Sequence, residues 1–242
     1  MKSETDTGGS ENGSTAGWSQ IADDVVVMSF PLRFFGIDFS RNVTLLRLRD
    51  GRVVIHSTAA FTQNDIQAIR TFGEPAWLVD ATLLHETFAK EGRAAFPDLP
   101  YLAPNGFKEV SGVATRPLEP PPSDWAGEIE VLRLEGTKKQ EHVLFHRRSR
   151  TLVVADLFFS FAAETRGWVR FFARRIMGLP PSLFGVSGFF RFLIDDQQEF
   201  ERSIRTILEW DFKRVVVAHR EPLGTAARAA VERALKKATS EQ

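Results

Sequence analysis

Thr151-Leu-Val-Val-Ala155, followed at once by Asp156, is the stretch whose reading decides the fold. A short, unbroken apolar run of this kind reads as a buried strand. Ala76-Trp-Leu-Val-Asp80 and Arg214-Val-Val-Val-Ala218 read the same way. Each of the three runs out into a turn or helix that carries polar groups: Asp156 after the first, Asp80 and then His85 after the second, His219 after the third. Side chains at or just past strand ends can converge at one edge of a core. Two neutral imidazoles and one carboxylate, with open positions for water, suit a divalent metal, Zn²⁺ ahead of Fe²⁺ or Mn²⁺. The expected site is therefore His85, Asp156 and His219, with Asp80 as the group that orients water or fixes an imidazole. The plain alternative gives these residues turn and capping duties and no metal: Asp80 caps the turn toward Leu83, Asp156 the segment after its strand, and His219 sits in a turn.

Working outward, the order of elements mixes hairpins with strand-helix alternation. Asp24–Phe30, Val43–Arg49 and Arg52–His56 read as strands, the last two joined by Asp50-Gly51, a strong hairpin signal. Thr62 is placed to cap a helix over Gln63–Phe72, which Gly73 ends. A helix from about Leu84 to Phe96 stops at Pro97, and Tyr101–Ala103 is a short strand. Four prolines between Arg116 and Ser123 mark a loop. Glu128–Glu135 is a half-buried strand, and Glu141–His146 with Thr151–Ala155 forms a second hairpin. Phe159–Leu193 is a helix-rich insertion broken at Pro180-Pro181. Asp195–Trp210 is an amphipathic helix, Arg214–Ala218 the last core strand and Thr225–Lys237 a final helix. Two hairpin blocks, each followed by helix and strand, predict an α/β (α+β) four-layer αββα sandwich; a three-layer α/β sheet is the competing layout.

The 242 residues suffice for one large core, so residues 18–242 are read as a single domain behind a mobile Gly, Ser and Thr tail over 1–17. With 31 basic and 31 acidic residues there is no global footprint for nucleic acid. The absence of cysteine excludes thiolate metal sites, disulfides and Cys nucleophiles, and fits a reducing, cytoplasmic setting. No Gly-x-Ser-x-Gly elbow or phosphate loop is present.

The order of elements resembles the metallo-β-lactamase superfamily from about Val25 to Leu235. Arg52-Val-Val-Ile-His56 looks like its first hairpin, with His56 where an Asp is usual. Asp80-Ala-Thr82-Leu-Leu84-His85 lies over its metal motif and keeps only the last His. Leu134-Glu-Gly136-Thr137 lies over its next His segment with Thr137 at the ligand position, Leu152–Asp156 matches its bridging Asp, and Val215–His219 its last His. The resemblance implies that Asp80, Thr82 and Thr137 replace the ligands of a first metal, that Leu84 replaces one ligand of the second, and that His85, Asp156 and His219 all belong to the second. It also implies that the insertion before the last strand covers the site.

The function expected on these grounds is a metal-dependent hydrolase with a mononuclear site, acting on a small, partly apolar ester, thioester or lactone. His56, Thr82, Thr137, Trp168 and Phe172 are the expected pocket residues. A catalytically silent ligand- or partner-binding protein, or a mononuclear iron redox enzyme, are the alternatives. His142 and His146, beside Arg147, Arg148 and Arg150, are expected to face solvent. In the insertion, Arg166, Arg170, Arg174 and Arg175 recur near i+4 against Trp168, Phe171, Phe172 and Ile176, a pattern that suits a lid or, second, a membrane surface.

Overall fold

The computed structural model describes residues 17–34, 36–219 and 227–240. The mobile tail expected over 1–17 therefore lies, but for Gly17, outside the described residues, as do the first two residues of the expected final helix. Seven strands form one sheet: β1 (Gly17–Ala22), β2 (Val25–Phe30), β3 (Arg41–Arg47), β4 (Arg52–His56), β5 (Glu74–Val79), β6 (Tyr101–Ala103) and β7 (Arg116–Pro117), lying side by side in chain order. The first four run antiparallel and the next joins are parallel. A second sheet holds β8 (Ile129–Arg133), β9 (His142–His146), β10 (Thr151–Val154) and β11 (Arg214–Val217), with β10 and β11 parallel.

The two sheets pack face to face, as the alternation along the strands dictates. Val25 and Val27 of β2, Val54 of β4, Leu144 of β9, Val153 of β10 and Val216 of β11 meet in one cluster between the sheets, where Trp77 and Trp125 lie edge to face at 5.8 Å. The alternate residues turn outward. Val26, Met28, Val53 and Ile55 pack under α1 (Gln63–Phe72) and α2 (Ala89–Ala95). Val143, Leu152, Val154, Val215 and Val217 pack under α3 (Gln197–Glu209) and α4 (Ala227–Ser240). This is the four-layer αββα sandwich. Strands buried on both faces explain why their sequences are continuously apolar.

Burial on both faces also overturns the solvent-facing reading of His142 and His146, which are 2% and 0% exposed. His142 packs its Nδ1 against the Gln140 carbonyl at 3.0 Å and its Nε2 3.3 Å from Glu119. The Ser149 hydroxyl donates to Thr151 Oγ1, so it accepts from His146 Nδ1 at 2.7 Å and leaves His146 Nε2 without a protein partner. Burial lowers the His146 pKa below 6.5, with Asp24 and Glu128 pulling up and Arg148 pulling down. A base depressed in the fold stays neutral there while the unfolded chain takes up a proton, so its stabilisation is present above pH 6.5 and is lost as pH falls. Wild type should therefore lose stability relative to His146→Gln on acidification below 6.5, by at most about 1.4 kcal/mol per pH unit. Urea titrations of both proteins at several pH values check this, and parallel curves would refute it.

The helix expected from Leu84 is a correction of boundary. Leu84 and His85 lie in a turn, with a 3₁₀ turn at Glu86–Phe88 before α2 begins at Ala89. The turn forms because Thr82 Oγ1 accepts from Leu84 N at 3.4 Å, in place of a helical partner. The insertion is less helical than expected. It contains Gly167–Phe171, a π turn at Phe172–Ile176, Gly188–Phe192, and a two-stranded pair of Phe159–Ser160 with Phe184–Gly185. Its own core gathers Phe161, Phe172, Met177 and Leu183 around Ile37 and Phe39. No helix among the described residues is long and apolar enough to cross a membrane.

Candidate metal centre

His85, Asp156 and His219 meet at the same end of the sandwich, each just beyond a core strand, with one ligand atom apiece inside a 4.8 Å span. All three are buried. Asp156 Oδ2 lies 3.4 Å from His85 Nε2, and Oδ1 lies 3.4 Å from His219 Nε2. The far nitrogens fix both rings. His219 Nδ1 donates to the Ser40 carbonyl at 2.8 Å, and His85 Nδ1 sits 3.5 Å from Ser57 Oγ. The Nδ1 bond to Ser40 O turns the Nε2 edge of the His219 ring toward Asp156.

The surrounding backbone explains the convergence. Asn42 at the start of β3 donates through its backbone N to Ala218 O at 2.8 Å and through Nδ2 to Val217 O at 2.9 Å, stitching the end of β11 to the first sheet. His142 N donates to Ala81 O at 2.7 Å, joining β9 to the loop that carries His85. The buried Glu141 carboxylate accepts from Ala155 N at 2.9 Å and Leu157 N at 3.2 Å on one oxygen, and from Asp156 N at 3.0 Å on the other. It thus shapes the turn that presents Asp156.

The donor set fits a divalent cation. His85 Nε2 and Asp156 Oδ2 are buried atoms with no hydrogen-bond partner among the described residues, which a fold tolerates only where something else satisfies them. Burial, then the nearby Arg41 charge, lowers His85 to about 4, so the ring is neutral at physiological pH. Burial works against ionisation of Asp156, but the facing imidazoles outweigh it and hold the carboxyl well below its ordinary range. A neutral His85 ring and an ionised Asp156 carboxylate are protonation states that ligation requires.

Of the other expected site residues, Asp80 is fully buried and its oxygens are occupied. Oδ1 accepts from Thr58 N at 3.2 Å; Oδ2 accepts from Thr58 Oγ1 at 2.8 Å and from the Tyr101 hydroxyl. It caps no turn. Burial pushes its carboxyl up to about 6, against the pull of Arg41, Tyr101 and Thr58. His56 is buried beside His85 and Arg41, and burial takes it down to about 3. Thr82 and Thr137 turn their hydroxyls to backbone carbonyls, Lys139 O at 3.4 Å and Leu134 O at 2.8 Å. Phe172 is linked to the centre through Phe39, 5.9 Å away, and Trp168 stands one ring further out and is 56% exposed.

Residues the sequence did not single out complete the centre. Phe159 stacks on the His219 ring at 5.6 Å and Phe39 meets it edge on at 6.2 Å. Arg41, 2% exposed, lies within electrostatic reach of Asp80, Asp156 and Glu86, yet its Nε and Nη1 have no hydrogen-bond partner among the described residues. Its guanidinium carbon sits 6.0 Å from the Phe88 ring centre. Nothing in the sequence marks Arg41 except its place at the head of β3.

No protein-family profile and no curated protein matches the chain. Solved structures do. A metallo-β-lactamase from Erythrobacter litoralis aligns over 94% of both chains with TM-score 0.62 and 14% identity. One from Pontibacter korlensis covers 93% of this chain and 100% of its own with TM-score 0.60 and 11% identity. FIM-1 from Pseudomonas aeruginosa, in its mono-zinc form, covers 94% and 97% with TM-score 0.61 and 10% identity. The chain has the metallo-β-lactamase fold, and at these identities the likeness is one of fold.

Proposed function

We propose that the protein is a metal-dependent hydrolase with a mononuclear site held by His85, Asp156 and His219, zinc being the first choice of metal. The observation that carries this is the convergence of three ligand atoms from three separate strand ends, two of them buried and otherwise unsatisfied. A divalent ion bound there supplies Lewis acidity in an environment of low dielectric.

The rest is the work of the chain's own residues. Phe39 and Phe159 wall the centre with apolar surface and exclude water, which strengthens every charge interaction inside. Arg41 Nε and Nη1 are donors without a partner among the described residues, and a carbonyl or carboxylate oxygen of a substrate would satisfy them. Asp80, locked by Thr58 and Tyr101, supplies counter-charge that keeps the buried guanidinium in place, a positioning role in preference to that of orienting water. The apolar wall beside a cationic donor suits a small, partly apolar ester, thioester or lactone. The same donor set serves ferrous iron, so the metal itself decides between a hydrolase and a redox enzyme.

Elemental analysis of the purified protein tests the reading. About one zinc per chain, with melting lowered on chelation, is the expected result. Protein without transition metal, and indifferent both to added zinc and to chelator, would overturn it in favour of a silent binding protein.

A further inference from the structure

Of the seven large apolar side chains that are exposed among the described residues, five belong to the insertion: Trp168 at 56%, Phe171 at 51%, Ile176 at 57%, Phe189 at 57% and Phe192 at 74%. Soluble surfaces scatter such residues singly, and a concentration of them marks an interaction site. The two helical pieces that carry them are tied together by Gly188 N donating to Met177 O at 2.7 Å. Trp168 and Phe171 stack at 5.5 Å, and Lys138 sits 5.2 Å over the Phe192 ring.

The charge of the same segment is one-sided. Across the insertion, Phe159–Leu193, there are five arginines against one carboxylate, Glu164, in a chain whose formal net charge is zero. Arg166 and Arg175 are exposed, and none of Arg166, Arg170, Arg174 and Arg175 forms an ion pair with a described carboxylate. Bulky apolar groups interleaved with exposed arginines such as Arg166 and Arg175 are the chemistry of a surface that enters the headgroup region of an anionic bilayer. A second copy is a poor occupant, because a two-fold interface would set this arginine-rich face against itself.

We infer that the insertion docks the protein on an anionic lipid surface, with Trp168, Phe171, Ile176, Phe189 and Phe192 entering the interface and the arginines meeting lipid phosphates. Trp168 packs on Phe172, Phe172 on Phe39 and Phe39 on His219, so a run of rings links the Trp168 end of that surface to the candidate metal centre. The inference does not rest on the hydrolase reading, since lipid binding is read without turnover and in the presence of chelator.

Co-sedimentation of the full chain with vesicles tests it. Binding to phosphatidylcholine vesicles containing phosphatidylglycerol should exceed binding to phosphatidylcholine alone by at least tenfold and fall as salt is raised. Replacing Phe189 and Phe192 together with Ser should weaken binding about tenfold or more, and Arg166→Gln and Arg175→Gln roughly fivefold each. These are exposed positions, and unchanged melting would confirm that the variants fold. Equal binding to neutral and anionic vesicles, no binding to either, or a wild-type dimer that the double Phe variant turns into a monomer would each overturn the inference.

Discussion

Asp156→Ala is expected to abolish the rise in melting temperature that zinc gives the metal-stripped protein. A ligand at a hundred times its Kd stabilises the fold by about 2.7 kcal/mol. For a domain of this size that is roughly 5–11 °C. Asp156 is the only carboxylate of the triad and faces both imidazoles at 3.4 Å, so its loss leaves two imidazoles opposite the Arg41 charge. His85→Ala should do the same, because His219 and Asp156 alone offer two points of attachment. His142→Gln is the contrasting variant. Its ring is buried, but it faces Glu119 and stands outside the triad, so zinc should still raise its melting temperature by the wild-type amount. A shift that survives in Asp156→Ala and disappears in His142→Gln would place the metal elsewhere and end the proposed assignment. Differential scanning fluorimetry with and without chelator gives both readouts.

The layers and the triad were legible because they rest on strong local signals. Unbroken runs such as Thr151–Val154 and Arg214–Val217 are strands whatever surrounds them, and a polar residue that ends such a run must emerge at the sheet edge. The same burial on both faces that makes those runs apolar also erases the inside-outside alternation. The reading of His142-Val-Leu-Phe-His146 failed for that reason: a period of two assigns a wet face, and β9 has none. Arg41 and Glu141 were invisible for a different reason. Each is a single charged residue at or just before the start of a strand, where most charges are solvated, and only tertiary packing buries them. Phe39 and Phe159 likewise gain their places beside His219 from contacts more than fifty residues apart in the chain. The insertion was read as helix-rich and broken at Pro180-Pro181; its arginine spacing matches the helical run that begins at Gly167, and the change to a π turn over Phe172–Ile176 has no comparable signature.

Glu141→Gln should be among the most damaging single-atom exchanges in the protein, costing about 3 kcal/mol and lowering metal affinity at least tenfold. The wild-type carboxyl receives three backbone N–H groups, two on one oxygen and one on the other, from the consecutive residues Ala155, Asp156 and Leu157. Burial and the neighbouring Asp156 charge push this carboxyl up to about 8, yet a neutral carboxyl still has lone pairs on both oxygens. The amide of Gln does not. Whichever way it is turned, its NH₂ faces at least one backbone N–H, so a buried donor is left unsatisfied and must move. The turn that moves is the one that holds Asp156 toward His85 and His219, so stability and metal affinity should fall together. On the scale of roughly 2–4 °C per kcal/mol, melting should drop by about 6–12 °C. His142→Gln, one residue away, changes a side chain that the Asp156 turn does not use and should leave metal affinity unchanged. Zinc titration followed by calorimetry, with urea melts of the same samples, separates the two quantities. A Glu141→Gln protein that melts like wild type and binds zinc as tightly would mean that the Asp156 turn is set by the strand it leaves and owes nothing to the carboxyl beneath it.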